Sequence, residues 1–269
     1  MKAIESLFSG MTLGFAALVT AAPPTTPPQN LLPFNFTLSL NGTLNDTVSA
    51  FGYDPSKDYH GQATIEVWTG GSHRQPVNAG NVGGMDLYKV VATALDRTCY
   101  SKYGKYCDNH NWQIFDTPYL QTPPAGIVQS VTYFRTVAAE WSNDKTREML
   151  LNIVGRILNA YTTTPLGINC YEVPGQGRFC NIPQLIRVHL PPSPNDPKQP
   201  NYWDVEFYGQ PSRFSKHGNL KPCATRSYID KELAMFKNLC EQQFPDWKGR
   251  FTYDTRVIIN GWKICSDEP

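Results

Sequence analysis

Two short segments hold residue types that acid–base chemistry requires. In LIRVHL (185–190) and YWDVEFY (202–208), apolar and polar residues alternate. A period of two is that of a strand, so Arg187 and His189 leave one face while Ile186, Val188 and Leu190 leave the other. Asp204 and Glu206 part in the same way from Trp203, Val205 and Phe207. If the two strands pair, Asp204, Glu206, His189 and Arg187 share one surface. Two carboxylates, an imidazole and a guanidinium can together supply a general acid, a general base and anion stabilisation, as hydrolysis of a glycosidic or phosphodiester bond requires. The competing expectation is a charged face in water, since an antiparallel sheet with one solvated side places charges at these same positions.

Two further segments have binding chemistry. Between Cys99 and Cys107, Tyr100, Tyr103 and Tyr106 recur every third residue with Lys102 and Lys105 among them. A closed loop of that composition could stack on sugar rings or bases and meet an anionic backbone, although tyrosines also fill interiors. Arg213, Lys216, His217, Lys221 and Arg226 form a basic run that ends near an expected helix start, where backbone N–H groups attract anions; a mixed solvent-facing loop accounts for them equally well. His60, His73 and His110 match no metal-ligand spacing, and Asp108-Asn109-His110 is notable only for proximity. No HExxH, Cys-x-x-Cys, GxSxG, phosphate-binding glycine loop or dinucleotide fingerprint occurs. We therefore expect neither a metal nor a cofactor. Triads assembled from distant residues stay invisible at this level.

The compartment is legible from processing features. Residues 1–21 read as a secretory signal peptide: Lys2 gives a charged start, Leu7–Thr20 an apolar run, and Val19-Thr20-Ala21 a small-residue exit with the cut after Ala21. That run is too short to cross a bilayer comfortably, so we expect no transmembrane segment after cleavage. Residues 22–47 read as a Pro-rich leader with N-glycosylation sequons at Asn35, Asn41 and Asn45, and residues 48–269 as one globular domain. The terminal CSDEP is neither a retention signal nor an apolar lipid-anchor tail. In an oxidising compartment the seven cysteines should pair and leave one over. Cys99 with Cys107 and Cys170 with Cys180 form local pairs, the latter across the turn-rich Pro174-Gly175-Gln176-Gly177. Two of Cys223, Cys240 and Cys265 then join the last helix to the C-terminal strand. A net charge of +1 provides no global field for nucleic acid or anionic membrane.

These features demand elements to position them. Residues 61–69 alternate as a half-buried strand, with Thr64, Glu66 and Trp68 opposite Ala63, Ile65 and Val67. A helix follows Gly83 and Gly84 with Leu87, Val90, Val91, Ala94 and Leu95 inward, and another follows Asn143 and Asp144 with Leu150, Ile153, Val154, Ile157, Leu158 and Tyr161 inward. Residues 127–141 suit either element; the spacing of Ile127, Val131, Phe134, Ala138 and Trp141 favours a helix. Ser227 and Asp230 suggest the start of a helix burying Ile229, Leu233, Phe236 and Cys240. Asn260-Gly261 marks a two-residue hairpin loop pairing Ile259 with Trp262 and Val257 with Ile264. The expected fold is α+β: a mainly antiparallel sheet of hairpins packed against three or four helices and stabilised by disulfides.

Two functions are compatible with this reading. The first is a secreted, disulfide-stabilised glycoprotein that binds carbohydrate or another extracellular or cell-wall surface. The second is a secreted hydrolase using the Asp204, Glu206, His189 and Arg187 face.

Overall fold

In the computed structural model, strand β11 (Leu185–Leu190) has every residue buried, and the main sheet extends from it on both sides. The described residues are 63–69, 76–100, 106–121, 126–192, 196, 198–209, 221–259 and 263–265. The expected signal peptide, the leader with Asn35, Asn41 and Asn45, and residues 48–62 of the expected globular domain lie outside them. β1 (Ala63–Trp68) and β12 (Asn201–Tyr208) flank β11. Beyond β12 come β8 (Val131–Glu140) and β5 (Gln113–Asp116), and beyond β1 come β13 (Tyr253–Ile259) and β14 (Lys263–Ile264). All neighbours are antiparallel except β1 and β13, which run parallel. Smaller sheets join β2 (Val77–Gly80) to β10 (Gly177–Ile182) and β9 (Cys170–Val173), β3 (Cys99–Tyr100) to β4 (Tyr106–Cys107), and β6 (Tyr119–Gln121) to β7 (Gly126–Val128).

Three helices among the described residues cover one face of the main sheet. They are α1 (Gly84–Thr98), α2 (Asp144–Thr163) and α3 (Pro222–Gln243). Ile65, Val67, Ile186, Val188, Trp203, Val205 and Phe207 of the sheet share one core with Leu87 and Val91 of α1, Ile153 and Ile157 of α2, and Leu233 and Phe236 of α3. Burying side chains of this size contributes about 1.5–3 kcal/mol each before entropy is counted. Trp203 stacks on Trp141 at 5.7 Å and donates its indole N–H to the Thr136 hydroxyl at 2.9 Å, so a polar handle is satisfied inside the apolar layer. Asn143 caps α2 by accepting the Thr146 N–H at 2.9 Å. Arg147 then ties α2 to the end of α1, donating to the carbonyls of Asp96 and Cys99 and to the Asp96 carboxylate. A cation at those carbonyls also complements the negative end of the α1 dipole.

The disulfides sit where the sheets need them. Cys99–Cys107 and Cys170–Cys180 each join directly opposed residues of a two-strand pairing. Cys223–Cys265 ties the first turn of α3 to the residue following β14. Cys240 is the remaining thiol: it is buried on the inner face of α3, 3.9 Å from the Met149 sulfur.

Five expectations are corrected. Residues 127–141 are not helical: β7 and β8 occupy the segment. Its β-branched and aromatic side chains pack better on a pleated surface, and β12 and β5 hydrogen-bond it from both sides. The helix spacing there was coincidental; a bulge between the Asp204 and Val205 pairings shifts the alternation within β8. Helix α3 starts at Pro222 rather than at Ser227, because proline is well suited to a first turn that needs no N–H. Ser227 instead bonds the Ala224 carbonyl from within the helix. The last hairpin pairs Ile258 with Ile264 and Ile259 with Lys263, so its connection is one residue longer than Asn-Gly implies and the expected register slips. Strand β1 is buried on both faces rather than one, within a sheet that is mainly antiparallel as expected and whose one parallel pair among the described residues is β1–β13. On α1, Val90 is exposed while Leu87, Val91 and Leu95 form the inner face.

Burial and the neighbouring Glu241 carboxylate push the Cys240 thiol up to about 11, leaving little thiolate at neutral pH. Native protein is expected to leave Cys240 unmodified by a thiol reagent at pH 8, and denatured, unreduced protein to take up one label per chain. Fast native labelling, or uptake of more than one label, would contradict both the burial and the pairing.

Candidate functional site

Register places three rows of side chains across the sheet face opposite the helices. In the first row Arg256, Glu66, Arg187 and Asp204 stand directly opposite one another on β13, β1, β11 and β12. Their charges alternate strand by strand. In the second, Asp254, Thr64, His189 and Tyr202 are aligned across the same four strands. In the third, Ile258, Trp68 and Leu185 lead to Glu206 and then to Arg135 on β8.

The first two rows meet in one cluster. Asp204 is engaged by both oxygens: Arg187 Nε lies 3.2 Å from Oδ2, and His189 Nε2 lies 3.1 Å from Oδ1. Arg187 Nη1 and Arg256 Nη1 each approach the Glu66 carboxylate at 3.8 Å. Arg256 also donates from Nε to Asp254 at 2.8 Å. The His189 ring stacks on Tyr202, its direct cross-strand neighbour, at 5.5 Å. Above the cluster, Trp68, Leu185, Ile258 and Val137 form an apolar group of their own, and the Arg187 guanidinium lies 5.8 Å from the Trp68 ring.

This face is not the solvated one that alternation alone allows. Glu66 is 6% exposed, Arg187 4%, His189 4% and Asp204 7%. The partly exposed side chains around them are Arg256 and Asp254 at one end and Glu206 and Arg135 at the other. Burial raises the Glu66 carboxyl above its ordinary value, and this outweighs the downward pull of Arg187, His189, Arg256 and a hydrogen bond from Trp68. Glu66 therefore holds its proton to higher pH than a solvated glutamate.

The sequence-derived candidates separate in space. Asp204, His189 and Arg187 come together as expected of paired strands. Glu206 is on the same face but one row away, paired with Arg135 at 3.3 Å. Arg135 in turn lies over the Trp112 ring at 4.5 Å, and Trp112 meets Tyr133 and Tyr208 edge-on. The carboxylate that completes the cluster is Glu66. The alternation of residues 61–69 already put Glu66 on a shared face, but nothing local to β1 tells which strand it adjoins. Tyr100 and Tyr106 pair across β3 and β4, while Lys102, Tyr103 and Lys105 lie outside the described residues. So do Arg213, Lys216, His217, His60 and His73. Lys221 precedes α3, and Arg226 within α3 approaches Asp230 at 3.8 Å and donates to the Cys265 carbonyl. His110 is exposed, and Asp108 accepts the backbone N–H groups of His110 and Asn111, which makes the motif a local turn.

Among the described residues, no group of three His, Cys, Asp or Glu is placed to hold a metal ion, and no helix is long and apolar enough to cross a membrane. Fold and site together define a disulfide-stabilised α+β protein with a buried charged cluster on the sheet face opposite the helices. Comparison of the chain with protein-family models, curated proteins and solved structures finds no match in any of the three.

A raised native pKa has a definite sign. The unfolded chain releases the Glu66 proton in the ordinary glutamate range, whereas the folded chain retains it to higher pH. Wild-type protein is expected to lose stability relative to Glu66→Gln as pH rises through that interval, since glutamine has no proton to release. Denaturant midpoints measured for both proteins between pH 4 and 8 read this directly; a difference that stays constant with pH would remove the claim.

Proposed function

We propose that the protein is a secreted hydrolase whose reaction is carried out by the Glu66, Arg187, His189 and Asp204 cluster. The observation that supports this is the burial of four ionisable groups side by side on a sheet face. Each charge withdrawn from water costs several kcal/mol, and apolar side chains of similar volume at such sites commonly hold a fold equally well. Perturbed, desolvated acid–base groups gather at functional sites more than elsewhere.

The roles follow from the contacts. Asp204 orients His189 through Nε2, which suits His189 to act as the general base. Glu66, whose carboxyl burial raises above its ordinary value, is suited to be the general acid. Arg187 lies between the two carboxylates and is suited to stabilise negative charge on the substrate.

A second reading retains the surface-binding function. Trp112, Tyr133 and Tyr208 with Arg135 and Glu206 combine aromatic rings with charged groups at one end of the same face, as sugar-binding surfaces do. In either reading the chain works outside the cell, which three disulfides suit.

Expression of the full chain in a secreting host tests both halves of the proposal. Medium is expected to contain protein beginning at Ala22 that loses mass on deglycosylation and turns over at least one phosphodiester, glycoside or carboxylic ester. His189→Asn should lower that turnover by about 100-fold or more while keeping a wild-type circular dichroism spectrum. A folded His189→Asn protein with full activity, or wild type inert toward all three classes, would overturn the hydrolase; retention inside the cell would overturn secretion.

A further inference from the structure

We infer that the sheet face opposite the helices is the docking surface for part of the chain's own leader, residues 34–44, an inference that stands apart from the hydrolase reading. That face is buried. Trp68 is 7% exposed, Leu185 3% and Ile258 5%, beside the equally buried Glu66, Arg187, His189 and Asp204. Among the described residues, the elements packed extensively on β1, β11, β12 and β13 are their sheet neighbours and the helices α2 and α3, which lie on the other side. Trp68, Arg187, His189, Tyr202 and Arg256, all on this face, each have a further interaction beyond those given above. Apolar and charged side chains leave water together only beneath something that covers both.

The chemistry of the face defines that cover. Its charges are already matched, Arg187 with Asp204 and Glu66, and Arg256 with Asp254 and Glu66. A cover with charges of its own would bury them without partners, which is strongly unfavourable. The cover must therefore be uncharged and have an apolar side for Trp68, Leu185 and Ile258. Residues 70–75 (GGSHRQ) and 210–220 (QPSRFSKHGNL) bring charge and little apolar surface, and residues 51–62 carry Asp54, Lys57 and Asp58. Residues 22–45 hold no charged residue. Within them Phe34, Phe36, Leu38, Leu40 and Leu44 fall at even positions, and Thr37, Ser39 and Thr43 at odd ones. Successive side chains of an extended chain point to opposite sides, so one side of this segment is apolar. The other side holds the sequon residues Asn35, Asn41 and Asn45, where glycan stays in water.

The leader also ends in the right place. Residue 62 leads directly into β1, which carries Glu66 and Trp68 of this face. At about 3.3 Å per residue, residues 45–62 are long enough to return the leader across four strands spaced about 4.8 Å apart. A docked leader accounts for the burial of Arg187 and His189, and any substrate of the cluster must displace it.

Photo-cross-linking of the full chain, expressed in a secreting host, tests the inference. On irradiation, Phe36→p-benzoylphenylalanine is expected to give adducts within one chain to peptides holding Trp68, Leu185 or Ile258. Leu40→p-benzoylphenylalanine, a second probe on the same side, should reach the same strands. The same group at Thr37, on the opposite side, should lose these adducts. No adduct from either apolar position, adducts elsewhere, equal yields from positions 36 and 37, or adducts only between two chains would overturn the inference, the last by assigning the face to a second copy. A mature chain beginning beyond residue 44 would overturn it as well. None of these outcomes depends on turnover, so the hydrolase reading stands or falls separately.

Discussion

Arg187 faces Glu66 on one side and Asp204 on the other because three strands hold a single register, and most of this fold depends on that alignment. With Arg256 beyond Glu66, the sheet has a row of alternating charge four strands wide. A slip of one residue in β1 or β11 would send Glu66 or Arg187 into the apolar layer and bring Ile65 or Val188 out of it. An unpaired charge placed there costs several kcal/mol, comparable to the whole stability of a domain. The row is thus a strong determinant of register, even where its net contribution to stability is small.

The rest of the molecule keeps that alignment in place. The parallel contact of β1 with β13 cannot be made by a hairpin, so the chain must return to β1 after crossing the sheet and adding α3. Cys223–Cys265 ties the start of α3 to the residue beyond β14, and α3 packs its Ile229, Leu233 and Phe236 under the same end of the sheet. Arg256 reaches Glu66 only because β13 is held there. On the other flank, the bulge in β8 places Val137 with Trp68, Leu185 and Ile258 while Ala139 packs into the main core. The apolar group beside the cluster is assembled by that irregularity.

Local pattern made some of this readable and topology hid the rest. The alternation in 185–190 and 202–208 assigned faces correctly because side-chain direction is a property of each strand alone. The inner faces of α2 and α3 and the Cys99–Cys107 and Cys170–Cys180 pairs were legible for the same reason: helical spacing and short sequence separation are local, whereas local pattern left open which two of Cys223, Cys240 and Cys265 pair across 42 residues. Glu66 joined the cluster across more than a hundred residues of intervening chain, and no periodicity encodes such a contact. Residues 127–141 misled because five apolar residues happened to match a helix while the surrounding strands decided the outcome. Burial of the charged face was equally hidden, since an alternating strand reads the same whether its polar side meets water or protein.

The cluster is uneven in a way that separates structure from chemistry. Arg187 and Arg256 stay charged at any physiological pH, and Asp204 is fixed between Arg187 and His189. These three are the parts that hold the row together. Glu66 and His189 are the members able to change charge, and they adjoin opposite ends of the Arg187–Asp204 pair. Burial favours the neutral form of Glu66. A network selected only to set register would need no titratable pair within it, because fixed charges or apolar residues specify alignment without responding to pH.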